Sequence, residues 1–303
     1  MGETSKLVGL SLYDGARLDV TEMFQGFMFP GLLHTQESLH CAVNFPFQDT
    51  DIIIATYPKS GTTWMQQIVT LITSRGDPNI AQTVPNWARA PWLEQIYLKD
   101  ALEASSLTPR IFTTHLPYQL LSSALQGSKA KVIYVSRNPK DVAVSYYHFH
   151  NIASFLPNLA TFQEFLHQFL DGKVSYGSWF DHVKDWTSQT ATMNNLLHIT
   201  YEELWQDLRG SIKRLSAFLQ CPLEDDEVNN CAKHTVFSVM KENKMVNYTL
   251  LPDNIIDHSK GSFMRNGKIG DWKNLFTEEQ DQYFKGICES KMKDWPSEFV
   301  WEV

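Results

Sequence analysis

The feature that most constrains this chain is the apolar run Asp51-Ile52-Ile53-Ile54-Ala55, followed at once by Thr56-Tyr57-Pro58-Lys59-Ser60-Gly61-Thr62-Thr63-Trp64. A β-branched run of that kind reads as a buried strand. The residues after it place Trp64, Met65, Ile68, Val69, Leu71 and Ile72 on one face of a helix. A strand, a glycine-containing loop and a helix in that order present free backbone N–H groups and the positive end of a helix dipole. With a lysine and the hydroxyls of Ser60, Thr62 and Thr63 added, the segment suits a phosphate or sulfate, and Trp64 suits the flat face of a base.

The surroundings of this segment narrow the class. The chain has 303 residues, 43% of them apolar, enough for one large core or two small ones. No apolar stretch approaches the ~20 residues of a membrane span. Met1 to Tyr13 lacks a basic region leading into an apolar core, so no secretion signal is expected, and Lys6 stands where a myristoylation pattern needs Ser or Thr. Cys41, Cys221, Cys231 and Cys288 have neither a paired spacing nor a companion histidine cluster, which points to a reduced, cytosolic protein without a metal site. A formal net charge of -8 argues against general nucleic-acid binding. An anionic cofactor must then be held by a local basic pocket.

Short apolar runs alternate with helical patterns, the signature of an α/β domain whose central parallel sheet is flanked by helices. Strands are expected at Asp51–Thr56, Arg110–Thr114, Lys131–Ser136 and Leu196–Thr200. Helices are expected at Pro139–Phe149, Thr161–Leu170, Trp179–Ser188 and Glu203–Leu219, with capping boxes at Thr161/Glu164 and Thr277/Gln280. The later strands run into Thr114-His115, Ser136-Arg137 and Tyr201-Glu202, and ligands of open α/β sheets bind beyond such carboxyl ends. Periodicity is lost from about 241 to 273. A long irregular stretch in one domain spanning 1–303 reads as a mobile C-terminal loop over the cofactor.

Lys59 precedes Gly61, so the first loop is not the ATP/GTP loop, which ends in Gly-Lys-Ser/Thr. The run Lys131–Val135 ends in Ser136-Arg137, not in a magnesium-binding carboxylate, and γ-phosphoryl transfer without a metal leaves its charge poorly neutralised. A sulfuryl group carries less negative charge, so lysine and histidine suffice. Further segments carry chemistry. Arg137 and Ser145 in Arg137–Tyr147 suit one tetrahedral anion, Phe263–Lys273 is a glycine-punctuated basic loop, and Thr113-Thr114-His115 puts a histidine at a strand end.

In this order the segments resemble the cytosolic sulfotransferases, which use 3′-phosphoadenosine 5′-phosphosulfate (PAPS) and release PAP. The likeness runs from about Phe24 to Trp301. Val84–Trp87, Ala90–Glu94 and Met245–Pro252 are similar to the hydroxysteroid branch, as is Thr113, where phenol-directed members carry lysine. The resemblance implies that Lys59, Ser60, Gly61, Thr62 and Thr63 surround the 5′-phosphosulfate. It assigns the 3′-phosphate to Arg137, Ser145, Arg265 and Gly267, the adenine to Trp64 and Phe237, and the nucleoside to Tyr201 and Thr235. Met240, Phe263, Met264 and Asn266 complete the cofactor set. His115 would be the general base, Lys59 would meet leaving-group charge, and Ser145 would hold the Lys59 ammonium until acceptor arrives. Trp87, Phe149 and Tyr248, with His115, would face a small lipophilic alcohol, most simply a hydroxysteroid.

Other readings stand beside this one: a phenol or amine acceptor, a PAPS-binding protein with little turnover, or a phosphate-loop kinase. Trp64 and Phe237 also suit the core, as do Phe27, Phe29, Trp87, Trp92, Phe149 and Tyr248. Two departures from the family pattern carry expectations. Asn266 replaces a lysine, predicting weaker nucleotide binding, and Glu278 and Gln282 replace the valine and glutamate of the family's dimer segment, leaving monomer and homodimer both open.

Overall fold

Alternation along a strand sends neighbouring side chains to opposite faces, and here both faces are apolar. The result is a four-stranded parallel sheet in a computed structural model that describes residues 15–293 and Trp295. The reading of Met1–Tyr13 and the end of the family likeness at Trp301 lie outside the described residues.

A short hairpin comes first, β1 (Thr21–Phe24) against β2 (Phe27–Pro30). The sheet is built from β3 (Ile52–Thr56), β4 (Ile111–Thr114), β5 (Lys131–Ser136) and β6 (Leu196–Thr200), in the order β4-β3-β5-β6. All three pairings are parallel. Ile52, Ile54, Ile133, Val135 and Ile199 pack on one side with Met65, Ile68 and Val69 of the helix Thr62–Thr73. Ile53, Ala55, Val132 and Tyr134 face the other side, against Val142 and Trp186. Each buried Ile or Val contributes ~1.5–3 kcal/mol, more than a surface ion pair, so the apolar pattern sets the register.

That register aligns the chemistry. Ala55 pairs with Thr114, Thr56 with Val135, and Ser136 with Thr200, so the loops after all four strands open at one edge. The chain leaves β3 toward β4 but leaves β5 toward β6. A crevice between β3 and β5 results, the switch point where open α/β sheets bind ligands.

Helical expectations hold with local changes. Pro139–Ile152 runs three residues beyond the expected end and is capped by Asn138, whose side chain accepts the Lys140 N–H at 2.9 Å. Glu203–Leu219 is instead two helices, Tyr201–Gln206 and Leu208–Leu219. The break falls at Asp207, whose carboxylate accepts the Gly210 N–H at 2.8 Å and so restarts the helix. The Thr277/Gln280 box is reciprocal. At Thr161 half of the box differs: its hydroxyl accepts the Glu164 N–H, but the Glu164 carboxylate turns to the Ala160 N–H at 3.3 Å.

After the helix Phe237–Glu242 the chain is irregular until a turn of 3-10 helix at Asp271–Asn274. Buried Val246, Ile255 and Ile256 fasten this stretch, with a β-bridge from Ile256 to Ala153. Asp141 fastens its far end, accepting the Gly270 N–H at 2.8 Å and the Trp272 N–H at 2.9 Å.

Candidate active site

The loop after β3 is shaped by two left-handed residues, Lys59 at φ 66° and Gly61 at φ 103°. Glycine is required at the second, because a Cβ there would sit 2.8 Å from the Tyr201 ring as well as occupying a costly conformation. Gly61 caps the helix Thr62–Thr73 without a side-chain bond, so its first N–H groups stay open. The Ser60 hydroxyl is buried and has no hydrogen-bond partner. A deep, unsatisfied hydroxyl beside open amides is a cradle for an oxyanion.

The Lys59 ammonium lies 4.0 Å from the centroid of the Phe263 ring and 4.5 Å from that of Phe149. Burial, with Arg137 and Arg265 adding like charge, pulls its pKa down to about 7. Among the described residues no hydrogen bond joins Lys59 to Ser145. Ser145 lines the same cavity one turn before Phe149.

Across the crevice Arg137 is nearly buried. Its Nη1 donates to the Lys59 carbonyl at 3.2 Å, its Nη2 to the Lys268 carbonyl at 3.1 Å, and its guanidinium lies 4.2 Å from the Tyr201 ring centroid. Nε has no partner. The turn beneath is held by buried Glu202, which accepts the Asn138 N–H at 3.0 Å. Arg265 pairs with Asp271, and Asn266 donates to the other oxygen of the same carboxylate at 2.6 Å. Gly267 presses against Phe237: a Cβ would meet that ring at 2.2 Å, and φ is 63°.

His115, at the end of β4, closes the third side. Its Nδ1 lies 2.7 Å from the Thr56 carbonyl, which makes Nδ1 the protonated nitrogen and leaves a lone pair on Nε2. The ring sits 4.4 Å from Trp92 and edge-on to Tyr176 at 5.0 Å. Its main-chain N–H donates to buried Glu94 at 2.8 Å. Burial, and then the nearby His182, His34 and Lys59, depress its pKa to about 3, so the imidazole is neutral at physiological pH. Glu94 moves the other way, to about 7, because burial outweighs its hydrogen bonds.

One cavity of about 420 Å³ joins these parts. Every site residue named from the sequence lines it except Ser60, which sits beneath. Trp64 meets Tyr201 edge-on at 5.1 Å, and Phe237 and Met240 also line the cavity. Thr235 is buried, its hydroxyl donating to the Cys231 carbonyl at 2.8 Å. Trp87 tilts over Tyr248 at 5.2 Å, and Tyr248 meets Phe263 at 4.2 Å. Phe29 belongs to the core, but Trp92 is cavity wall. Thr113 does not line the cavity. Its hydroxyl donates to the Ala90 carbonyl and accepts from Gln66, both at 2.8 Å, so it is spent within the fold.

Sequence reasoning missed Tyr176, Gln95 and the carboxylates Glu94, Asp141 and Asp271. All but Asp271, which meets Arg265 and Asn266 within six residues, depend on contacts distant in the chain.

Fold and site define an α/β protein with open amides, a buried hydroxyl and cations gathered at a switch point and a neutral imidazole on the same cavity. Comparison with known proteins sharpens the class. The family model described as sulfotransferase domain matches residues 49–296. Human sulfotransferase 2B1 is 46% identical over 280 residues, covering 92% of this chain and 76% of that protein. The 3-beta-hydroxysteroid sulfotransferase of Cavia porcellus is 42% identical, covering 94% and 99%. The crystal structure of mouse sulfotransferase SULT7A1 complexed with PAP superposes with a TM-score of 0.74 at 31% identity, covering 91% of this chain and 95% of that one. The chain belongs to the sulfotransferase family.

Proposed function

We propose that this chain transfers the sulfuryl group of PAPS to the hydroxyl of a hydroxysteroid, with His115 as general base. The acceptor class comes from relatives named as hydroxysteroid sulfotransferases, and the nucleotide from a neighbour crystallised with PAP. The observation that carries the mechanism is the 2.7 Å contact of His115 Nδ1 with the Thr56 carbonyl, which aims a free lone pair into the cavity.

The residues present fit the nucleotide. Ser60 Oγ and Arg137 Nε are buried donors with no protein partner, and Gly61 and Gly267 stand where a side chain would collide with a ring. Lys59, Ser60, Gly61, Thr62 and Thr63 would hold the 5′ end, and Arg137, Ser145, Arg265 and Gly267 the 3′-phosphate. Trp64 and Phe237 would take the base, with Tyr201, Thr235, Met240, Phe263, Met264 and Asn266 around it. The loop 241–273 would fold over the bound nucleotide as a mobile cover.

Bound PAPS supplies an activated sulfuryl group. An alcohol has a pKa far above neutrality, so its proton must leave as the new O–S bond forms. His115 Nε2 accepts that proton, contributing ~10²–10⁴-fold to the rate. Nearby anionic charge raises the proton affinity of the imidazole from its depressed resting value. Lys59 would set its ammonium against the negative charge that grows on the oxygen released as the S–O bond of the donor breaks, a contribution on the order of 10²–10³-fold. Apolar walls around Trp87, Trp92, Phe149 and Tyr248 exclude water from competing for transfer.

Lys273, Thr277, Glu278 and Gln282 are exposed, and without the family's valine and glutamate a dimer by that route is disfavoured. No helix among the described residues is long and apolar enough to cross a membrane, and the four cysteines are unpaired, which suits the reducing cytosol.

Radiolabelled PAPS and a panel of sterols, phenols and amines test the function. Sulfated hydroxysteroid is the expected product, and His115→Asn should lower its rate by ~10²-fold or more while PAP affinity holds. Label on phenols or amines alone redirects the acceptor class. PAP binding with no product from any acceptor makes the chain a binder.

A further inference from the structure

The acceptor side of the cavity is mostly hydrocarbon, and its polar groups are nearly all in use. The Tyr176 hydroxyl lies 3.2 Å from His34 Nε2, the Tyr248 hydroxyl accepts from Asn86 at 3.2 Å, and the Tyr97 hydroxyl accepts the Trp92 N–H at 3.2 Å. The Trp87 indole N–H has no partner, but it is sealed from the cavity.

Gln95 is different. It lines the cavity and is only 8% exposed. Its main-chain N–H donates to the Trp92 carbonyl at 3.3 Å and its carbonyl accepts the Leu98 N–H at 3.2 Å, so the backbone is satisfied. Its side-chain amide makes no hydrogen bond to any described residue. The segment is also pinned on both sides: Glu94 takes the His115 N–H at 2.8 Å, and the Ile96 N–H donates to the Leu33 carbonyl at 3.0 Å. An amide on a strap tied so close to His115 is held in the acceptor site.

We infer that Gln95 is a specificity-determining residue whose amide binds a second oxygen of the acceptor, a keto or hydroxyl group other than the hydroxyl that meets His115. This deepens the hydroxysteroid reading and rests on it. The amide both donates and accepts, so it serves either kind of oxygen. An acceptor with a wholly hydrocarbon remainder would strip water from the amide and give nothing back. Sites built to hydrogen-bond a substrate group discriminate strongly against the analogue that lacks it, whereas apolar walls tolerate small changes. The favoured acceptors are therefore steroids with two oxygens, ahead of sterols with one.

The test measures binding to PAP-loaded protein, so it does not depend on turnover. Affinities are compared for a 3-hydroxyandrostane without further oxygen and for its 11-keto and 17-keto counterparts, using wild type and Gln95→Leu. Wild type should bind at least one keto steroid about tenfold or more tightly than the parent. Gln95→Leu should erase that ratio and leave the parent bound as well or better. Gln95→Met, closer in shape, provides the same comparison if the leucine variant does not fold. A ratio unchanged in the variants, or no preference in wild type, overturns the assignment while leaving the hydroxysteroid reading intact. Failure of all three steroids to bind wild type overturns both.

Discussion

Lys59 yields the sharpest prediction, because its free-state environment opposes the charge that its proposed role requires. Burial against two aromatic rings, with Arg137 and Arg265 close, sets its pKa at about 7 in the ligand-free protein. Against the anionic end of the nucleotide the ammonium is favoured, so the bound-state pKa returns toward the ordinary lysine value. Binding must therefore take up protons above neutrality. Lys59 is half protonated at about pH 7 and about one-hundredth protonated at pH 9, so PAP affinity should fall ~50-fold over that interval, about 2.3 kcal/mol. Ionisation of the phosphates runs the other way, strengthening binding as pH rises. Calorimetric titration with PAP, in buffers of different ionisation heat, reads both affinity and proton uptake. Uptake should approach one proton per site at high pH, and Lys59→Arg, which stays charged, should flatten the pH dependence. A flat wild-type affinity from pH 7 to 9 with no buffer dependence would refute the reasoning.

Two further outcomes follow from the same structure. Asn266 offers a neutral amide, now spent on Asp271, where the family places a lysine. Asn266→Lys should tighten PAP binding by ~1.5 kcal/mol or more, roughly tenfold, and unchanged or weaker affinity by calorimetry contradicts this. The buried imidazoles of His34, His150 and His182 have pKa values lowered to about 4, chiefly by desolvation. They stay neutral in the fold but charge in the unfolded chain below about pH 6.5. Stability is thus lost as pH falls from about 6.5 toward 4, by up to ~2 kcal/mol per histidine at pH 5. Urea unfolding at pH 7 and pH 5 checks it, and equal midpoints would sink the argument.

What could be read from the chain divides by distance. The four sheet strands were legible to within a residue, because each is a short, largely apolar run that leads into polar groups. That His115, Lys59 and Arg137 meet on one cavity was legible because strand ends in a parallel sheet share one edge. The fracture at Asp207 was not, since an apolar stripe continues across it and only the Asp207-to-Gly210 cap marks the restart. Thr113 marked the hydroxysteroid branch through likeness alone, and nothing local in the sequence announced that its hydroxyl is spent on Ala90 and Gln66. Tyr176 reaches the site by a left-handed residue at φ 69° in a loop without a motif. Glu94 and Gln95 arrive through a strap paired to β4, a contact that no local pattern announces.

The proposed mechanism needs a neutral imidazole that shares its cavity with the sulfuryl donor and takes the acceptor's proton. A crystal structure of the chain with PAP and a 3-hydroxysteroid tests it most directly. The 5′-phosphate is expected on the amides of residues 59–63 and the steroid hydroxyl within hydrogen-bond distance of His115 Nε2. A nucleotide bound elsewhere, or a hydroxyl held away from His115, would contradict it.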